Sequence, residues 1–504
     1  MLLAYRSDDV RAAEEPLLAA GVPLMERASF ALATAVARQL LERRGRVGGA
    51  GVVLLVGGGN NGADTLWAGA RLARRGAAVT ALLVSDRAHP AGLEALTAAG
   101  GRVRMVDERS VDGAAAVAAA ADVVLDGMLG IGARGGLRGA AAGLAAVLRH
   151  AVDAAARPPL VVAVDVPSGI GVDDGALPGD VLEADLTVTF GSAKPGLLLP
   201  PAAAHAGEVQ VVDIGLALGG TPAVARLEAH DVAALWPVPP PAAHKYTRGV
   251  LGVVAGTPAY PGAAVLVTTA AVLAGAGMVR YVGDVAQQVL AARPEVVVGE
   301  GRVQAWALGP GIDPDDVAAA DRVREALSRA VSEGLPTVAD AGALGLLPDR
   351  LPPVVVLTPH AGELVALLGS RGEAVRRSDV EREPVRWAVR AQQLTGATVL
   401  LKGAVTVVAG PEGALYAQAE APAWLATAGA GDVLTGLLGA LLAARSDEVR
   451  GEPNLVAALA AAAASVHGRA AQAANPGGPV AALEVARSVP GVVADLLASD
   501  GAAR

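Results

Sequence analysis

Val52-Val53-Leu54-Leu55-Val56 runs straight into Gly57-Gly58-Gly59-Asn60-Asn61-Gly62-Ala63-Asp64. A short unbroken apolar run is how a parallel strand buried on both faces reads. The small residues after it make a tight turn, and Leu66, Ala70 and Ala73 then recur on one side of a helix that stops near Gly76. Strand, glycine turn and helix together are the opening of an α/β domain. Gly57, Gly59 and Gly62 also satisfy G-x-G-x-x-G, and the next strand, 78–84, ends at Ser85-Asp86, where a ribose-binding acid is expected. An ordinary nicotinamide dehydrogenase is the obvious first reading. Asn60, Asn61 and Asp64 argue for something else: amide oxygens and a carboxylate suit a cation or hydroxyl groups better than a pyrophosphate. The plainer alternative makes the Asn pair a left-handed turn and Asp64 a helix cap.

Upstream, two helices are expected over about 8–20 and 23–44, the second opening on Pro23 and closing before Gly45. Downstream, two more buried strands end in acids: Val123-Val124-Leu125 at Asp126, and 160–164 at Asp165-Val166-Pro167-Ser168. A single acid at a strand end is usually a turn former. Three polar strand exits in succession point to one pocket at the carboxyl edge of the sheet.

These segments, with Thr189-Phe190-Gly191-Ser192-Ala193-Lys194-Pro195 and Leu24-Met25-Glu26-Arg27-Ala28, resemble the NAD(P)HX epimerase domain over roughly 1–220. The resemblance implies a Rossmann-like three-layer fold. It implies that Asn60, Asn61, Gly62, Ala63 and Asp64, with Gly130, Ile131, Gly132, Ala133, Arg134, Gly135, Gly136 and Asp165, hold the hydrated nicotinamide cofactor. It further implies K+ at Asn61, Asp126 and Ser168; Asp165 is our candidate acid/base. Ala63 and Thr65 stand where the family usually has glycine, and Ser29 where a glycine often follows Arg27-Ala28.

Gly219-Gly220-Thr221-Pro222 and Pro237-Val238-Pro239-Pro240-Pro241 mark a seam. We place the boundary at 222, giving domains 1–222 and 223–504. Strand–helix alternation then resumes. Its polar strand exits are Trp306-Ala307-Leu308-Gly309-Pro310-Gly311, Thr337-Val338-Ala339-Asp340, Thr358-Pro359-His360-Ala361-Gly362-Glu363 and Lys402-Gly403-Ala404-Val405-Thr406. Last comes Thr427-Ala428-Gly429-Ala430-Gly431-Asp432, small residues feeding a helix. Its amides and dipole suit an anion, and the carboxylate beside them could take a proton from a hydroxyl attacking phosphorus. The bland reading is close helix packing. Likewise His360 and Glu363 read either as a helix cap and first-turn acid or as ligand contacts, and Lys402 as a surface lysine or a phosphate anchor.

The second half resembles the ADP-dependent NAD(P)HX dehydratase domain, of ribokinase-like fold, over 226–504. By that resemblance Ala263, Ala264, Gly311, His360 and Asp432 contact the hydrated cofactor. Lys402, Gly403, Ala404, Val405, Thr406 and Gly431 contact the nucleotide, Mg2+ accompanies its phosphates, and ADP is the co-substrate. The family often has aspartate at the place of Gly342 and threonine at that of Ala430. The fusion in this order resembles the bacterial NAD(P)H-hydrate repair family. Two rivals stay open: a small-molecule kinase using ATP, and a first half that binds nicotinamide nucleotides without catalysis.

Composition sets outer bounds. Across 504 residues the net charge is −9 and aromatics are 2 %, so neither a cationic field nor stacking platforms favour nucleic acid. No cysteine is present, which removes disulfides, thiolate metal sites and thiol nucleophiles and suits the cytoplasm. The uncharged run 249–279 is cut by Gly252, Gly256, Pro258, Pro261 and Gly262 into strand, turn and helix, so no membrane span is expected. Small-molecule substrates and a homo-oligomer are expected. The Arg- and Glu-rich stretch 371–383 reads as a solvated loop or helix start.

Overall fold

The computed structural model describes residues 1–501 and divides into two compact units. One is Leu3–Val224; the other begins at Ala225 and takes in Met1–Leu2. The sequence places those two residues with the first unit. They group with the second because the Met1 ammonium lies 2.7 Å from both Glu228 and Asp231.

In the first unit seven parallel strands lie in the order Arg102–Met105, Ala78–Leu83, Gly51–Val56, Val123–Gly127, Leu160–Val164, Leu186–Phe190, Glu208–Val212. The strands Val123–Gly127, Leu160–Val164 and Leu186–Phe190 are buried along their whole length, as continuous apolar runs require when helices cover both faces. Arg102–Met105 is exposed throughout and carries Arg102 and Arg104, charges that discourage further pairing at an open edge. Strand order reverses between Gly51–Val56 and Val123–Gly127, opening a crevice at their carboxyl ends. The helices Ser7–Ala19, Leu24–Arg44 and Asn60–Arg74 agree with the sequence reading to within two residues at the ends assigned.

The second unit builds a larger sheet. Val297–Val298, Met278–Tyr281, Val250–Val254, Ala305–Leu308, Thr337–Ala339, Val355–Leu357 and Thr398–Leu401 are parallel neighbours in that order. Thr406–Ala409 and Leu415–Gln418 then extend it antiparallel. Alternate residues of Val250–Val254 feed opposite layers. Leu251 and Val253 join the core under helices Pro261–Leu273, Ala430–Ala444 and Leu455–Ala474, whereas Val250 and Val254 pack with Val323, Leu327 and Leu364 on the other face. The abundant small residues allow close helix contact: a Cβ on Gly436 would stand 2.2 Å from Val267 O. Segment 249–279 holds the expected strand, turn and helix, and its last two residues begin a further strand, Met278–Tyr281. Among the described residues no single helix is long and apolar enough to cross a membrane. Within 371–383 a short helix, Arg377–Arg382, starts at Arg376, which pairs with Asp379.

Candidate functional sites

The crevice of the first unit widens into a cavity of about 1070 Å3. The glycine turn can reach it because side chains are absent where backbone meets backbone. A Cβ on Gly57 would lie 1.9 Å from Met128 O, and one on Gly62 would lie 2.2 Å from Gly57 O. Asn60 and Asn61 stand on the wall, opposite Gly130, Ile131, Gly132, Ala133, Arg134 and Gly136. Gly135 instead lines a smaller cavity of about 390 Å3. Gly62 packs on Gly57, and Ala63 is 1 % exposed, so its methyl group is buried in the protein. Thr65 is buried too; its hydroxyl donates to Asn61 O at 2.6 Å.

Asn61, Asp126 and Ser168, assigned to K+ from sequence, do converge. Ser168 donates to Asp126 through its hydroxyl at 2.6 Å and its amide at 2.8 Å, and Asn61 Nδ2 donates to Leu129 O at 3.1 Å and to Val164 O. The donor set is hard oxygen throughout, which fits a hard cation. Burial pushes the Asp126 carboxyl up, against the lowering effect of Ser168 and Met128.

Asp165 follows strand Leu160–Val164 in a left-handed conformation, φ +66, uncommon for any residue but glycine. Its carboxylate accepts from Thr189 Oγ1 at 2.9 Å, from Phe190 N at 3.2 Å and from Lys194 Nζ. Lys194 is 1 % exposed and also donates to Thr189 Oγ1 and Phe190 O, both at 2.9 Å. Such a buried pair persists only when every proton finds a partner. Asp64 lies nearby with Oδ1 buried and unpartnered. Burial first, then Asp165 and Glu14, pushes its carboxyl well above the usual range. Glu14, on the cavity wall, is raised by burial and by Asp165, with Lys194 acting against them. Lys194 and Glu14 carry no role in the sequence reading. Lys194 had a signal, a lysine lodged between a buried strand and Pro195; Glu14 had none.

In the second unit the carboxyl ends of five adjacent strands present Gly256-Thr257, Gly309-Pro310-Gly311, Asp340, His360 and Lys402 along one edge. Gly256 N donates to Pro310 O at 2.8 Å, and a Cβ on Gly311 (φ +65) would lie 2.7 Å from Ala263 Cβ. Thus Ala263 and Gly311 meet. Ala264 is fully buried against Gly256 and offers no side-chain contact to a ligand. Helix Ala430–Ala444 starts from Gly429 at φ +85 with no side-chain cap; Ala430 N donates to Thr427 O at 3.3 Å, and the next amides, of Gly431 and Asp432, have no partner within the helix. Asp432 sits in that first turn, its carboxyl pushed up to about 6 by burial and then by Asp340, with Lys402 opposing.

Asp340 is the hub. It is 2 % exposed, accepts from Lys402 Nζ at 2.7 Å and from Thr435 Oγ1 at 2.8 Å, and stands near Gly431. Lys402 also lies 3.6 Å from Glu363; Gly403, Ala404 and Val405 continue as the hairpin turn into Thr406–Ala409. His360 caps helix Ala361–Ser370: Nδ1 accepts from Gly362 N and Glu363 N, while Glu363 Oε2 accepts from His360 N at 2.8 Å. The capping alternative therefore describes its Nδ1, and Nε2 faces Glu363 at 3.7 Å. Behind the loop, His467 is buried and held down at about 4 by burial, with its Nε2 unpartnered. Gly342 is glycine for a local reason: a Cβ there would lie 2.1 Å from Ile312 O. Asp340, Thr435 and His467 were not assigned from sequence. Asp340 had the strand-end signal that marked Asp126; a lone histidine in an alanine-rich helix had none.

Comparisons with known proteins match the two halves separately and together. A family model described as YjeF-related protein N-terminus matches residues 22–196, and one described as NAD(P)H-hydrate dehydratase matches 251–487. A bifunctional NAD(P)H-hydrate repair enzyme of Mycobacterium tuberculosis is 48 % identical over 455 residues, covering 87 % of this chain and 89 % of that one. An NAD(P)H-hydrate epimerase of Clavibacter sepedonicus is 45 % identical over 225 residues, covering 44 % of this chain and 94 % of its own. Among solved structures, the ADP/ATP-dependent NAD(P)H-hydrate dehydratase from Bacillus subtilis, co-crystallized with ATP/Mg2+, is 27 % identical. It covers 53 % of this chain and 97 % of its own, with a TM-score of 0.46.

Proposed function

This chain belongs to the family of bifunctional NAD(P)H-hydrate repair enzymes, and we propose that it restores both epimers of hydrated NADH and NADPH, the second step at the expense of ADP. The first unit is its epimerase domain and the second its dehydratase domain.

The chemical difficulty is a ring hydroxyl that leaves poorly as hydroxide. In the proposed step that hydroxyl attacks the β-phosphorus of ADP, Asp432 takes its proton, and the bond from that phosphorus to the bridging oxygen breaks to release AMP. The ring then carries a phosphate ester. Its C–O bond breaks as the neighbouring carbon loses a proton, giving the dihydronicotinamide and inorganic phosphate. Asp432 at the amino end of Ala430–Ala444, with its carboxyl near 6, is the observation that carries this reading: a carboxylate poised beside open amides is a usable base near neutral pH. Lys402 supplies a cation for the phosphates. Asp340 and Glu363 hold it in place. Mg2+, when bound, would neutralise phosphate charge, with Glu363 holding it through water.

In the first unit, we assign Asp165 to proton transfer as the R and S hydrates interconvert, with Asn60, Asn61 and the 130–136 loop as walls. Asn61, Asp126 and Ser168 would hold K+, whose part is to fix loop geometry.

Incubation of the protein with NADH hydrate and ADP, following the return of reduced-nicotinamide absorbance, tests the reading. Restoration with ADP, lost in Asp432→Ala, is expected. A stable phosphorylated product with ATP and no restored NADH would make the second unit a kinase instead.

A further inference from the structure

We propose that Arg87, beside Ser85, binds the 2′-phosphate of the substrate in the first unit's cavity, so that this site favours the hydrate of NADPH over that of NADH. The inference rests on reading that cavity as the hydrate site and adds the feature that tells its two substrates apart.

Three observations converge. The first is position. In a doubly wound sheet the ligand crosses the point of strand reversal, and the end of the strand next to the glycine-turn strand is where the ribose 2′-position is read. Here that strand is Ala78–Leu83, paired in register with Gly51–Val56. The second is which residues the local geometry turns inward. The sequence points to Asp86 as a ribose-binding acid, but of this segment Val84, Ser85 and Arg87 line the cavity and Asp86 does not; Asp86 and Arg87 are both exposed. Arg87 N donates to Ser85 Oγ at 3.2 Å, curling the segment so that both side chains flank the glycine turn. A Cβ on Gly58 would lie 2.9 Å from Ser85 Oγ and 3.3 Å from Arg87 Cβ. An acid would accept from a free 2′-hydroxyl and repel a phosphate; a guanidinium with a hydroxyl beside it does the reverse.

The third is that the Arg87 guanidinium makes no hydrogen bond or ion pair among the described residues. Some other arginines of this unit are engaged, Arg11 with Asp8, Arg44 with Asp122, Arg71 with Glu26 and Arg149 with Asp180; of the arginines that line the cavity, Arg87 is the one at the end of the Ala78–Leu83 strand. Arg134 and Arg138 line the cavity too, but on the loop after strand Val123–Gly127, away from the end of Ala78–Leu83, where their charge would serve phosphates common to both substrates.

The test uses the full chain without adenine nucleotide, so that the dehydratase step is idle, and follows R-to-S conversion of each hydrate by chromatography. The wild type should show the lower KM for the NADPH hydrate. Arg87→Gln should raise the KM ratio of NADPH hydrate to NADH hydrate by about tenfold, as loss of one charge-assisted contact predicts, and Arg87→Lys should recover part of it. Arg134→Gln with Arg138→Gln should raise both KM values together. Adenosine 2′,5′-bisphosphate should inhibit wild type more strongly than AMP, and Arg87→Gln should erase that difference. An unchanged ratio in Arg87→Gln, with the melting temperature retained, overturns the proposal. A wild type that converts neither hydrate overturns the epimerase reading itself, and this inference with it.

Discussion

Lys402 Nζ stands 2.7 Å from Asp340 Oδ1, while the other oxygen of that carboxylate takes the Thr435 hydroxyl at 2.8 Å. One residue of a hairpin turn and one of a helix are thereby tied to a single buried acid at a strand exit. The same acid is one of the charges that keep the Asp432 carboxyl high, so the hub sets both the lysine's position and the base's proton affinity.

Dehydration should therefore rise with pH through about 6, as Asp432 loses its proton. Asp340→Asn should move that rise to lower pH, because one of the two upward influences is gone. A pH–rate profile of the two proteins checks this; an unmoved profile would detach Asp340 from Asp432.

Asp432 should also cost stability. Its folded-state pKa lies above the ordinary 3.8, so the folded protein keeps the proton longer than the unfolded chain. The stability it contributes is present at low pH and lost as pH climbs from 3.8 through about 6. Asp432→Asn should then unfold at higher urea than wild type at pH 7.5, by at most about 3 kcal/mol, while losing ADP-dependent restoration.

His467 works in the opposite sense. Burial, aided by Lys402 and opposed by a hydrogen bond at Ala430, holds it near 4, below its usual 6.5. Its share of stability is complete above 6.5 and drains away as pH falls toward 4. Urea midpoints measured from pH 7.5 down to 4.5 should fall less steeply in His467→Gln than in wild type.

Removing one member of the buried Asp165–Lys194 pair leaves an uncompensated charge. Lys194→Met should cost about 3–5 kcal/mol. The double variant Asp165→Asn, Lys194→Met should regain much of that loss yet interconvert the R and S hydrates far more slowly, with dehydration of the S form intact. Full interconversion in the double variant would remove the pair from the mechanism.

Gly342 provides a check on packing. Gly342→Asp should destabilise by about 1–3 kcal/mol, since its Cβ would press on Ile312 O at 2.1 Å. Thermal unfolding of the variant measures it.

Much of this molecule is legible along the chain. The unbroken apolar runs, the glycine turns and the acids at strand ends locate the strands, the crevice and most of its walls, because each is a matter of adjacent residues. Legibility fails where orientation matters. Ala63 and Ala264 read as substrate contacts and have buried side chains; Asp86 stands where a ribose acid is expected and is exposed, while Ser85 and Arg87 line the cavity.

Taken alone, the chain determines two α/β units, where their strands end and which residue types collect there, since periodicity and turn chemistry are local properties. Tertiary structure decided which acid meets which cation. Asp340 and Lys402 are 62 residues apart and Asp165 and Lys194 are 29 apart. No local rule pairs them: their proximity exists only once the sheets assemble, and only burial in that assembly makes an ion pair or a displaced pKa out of neighbouring charges.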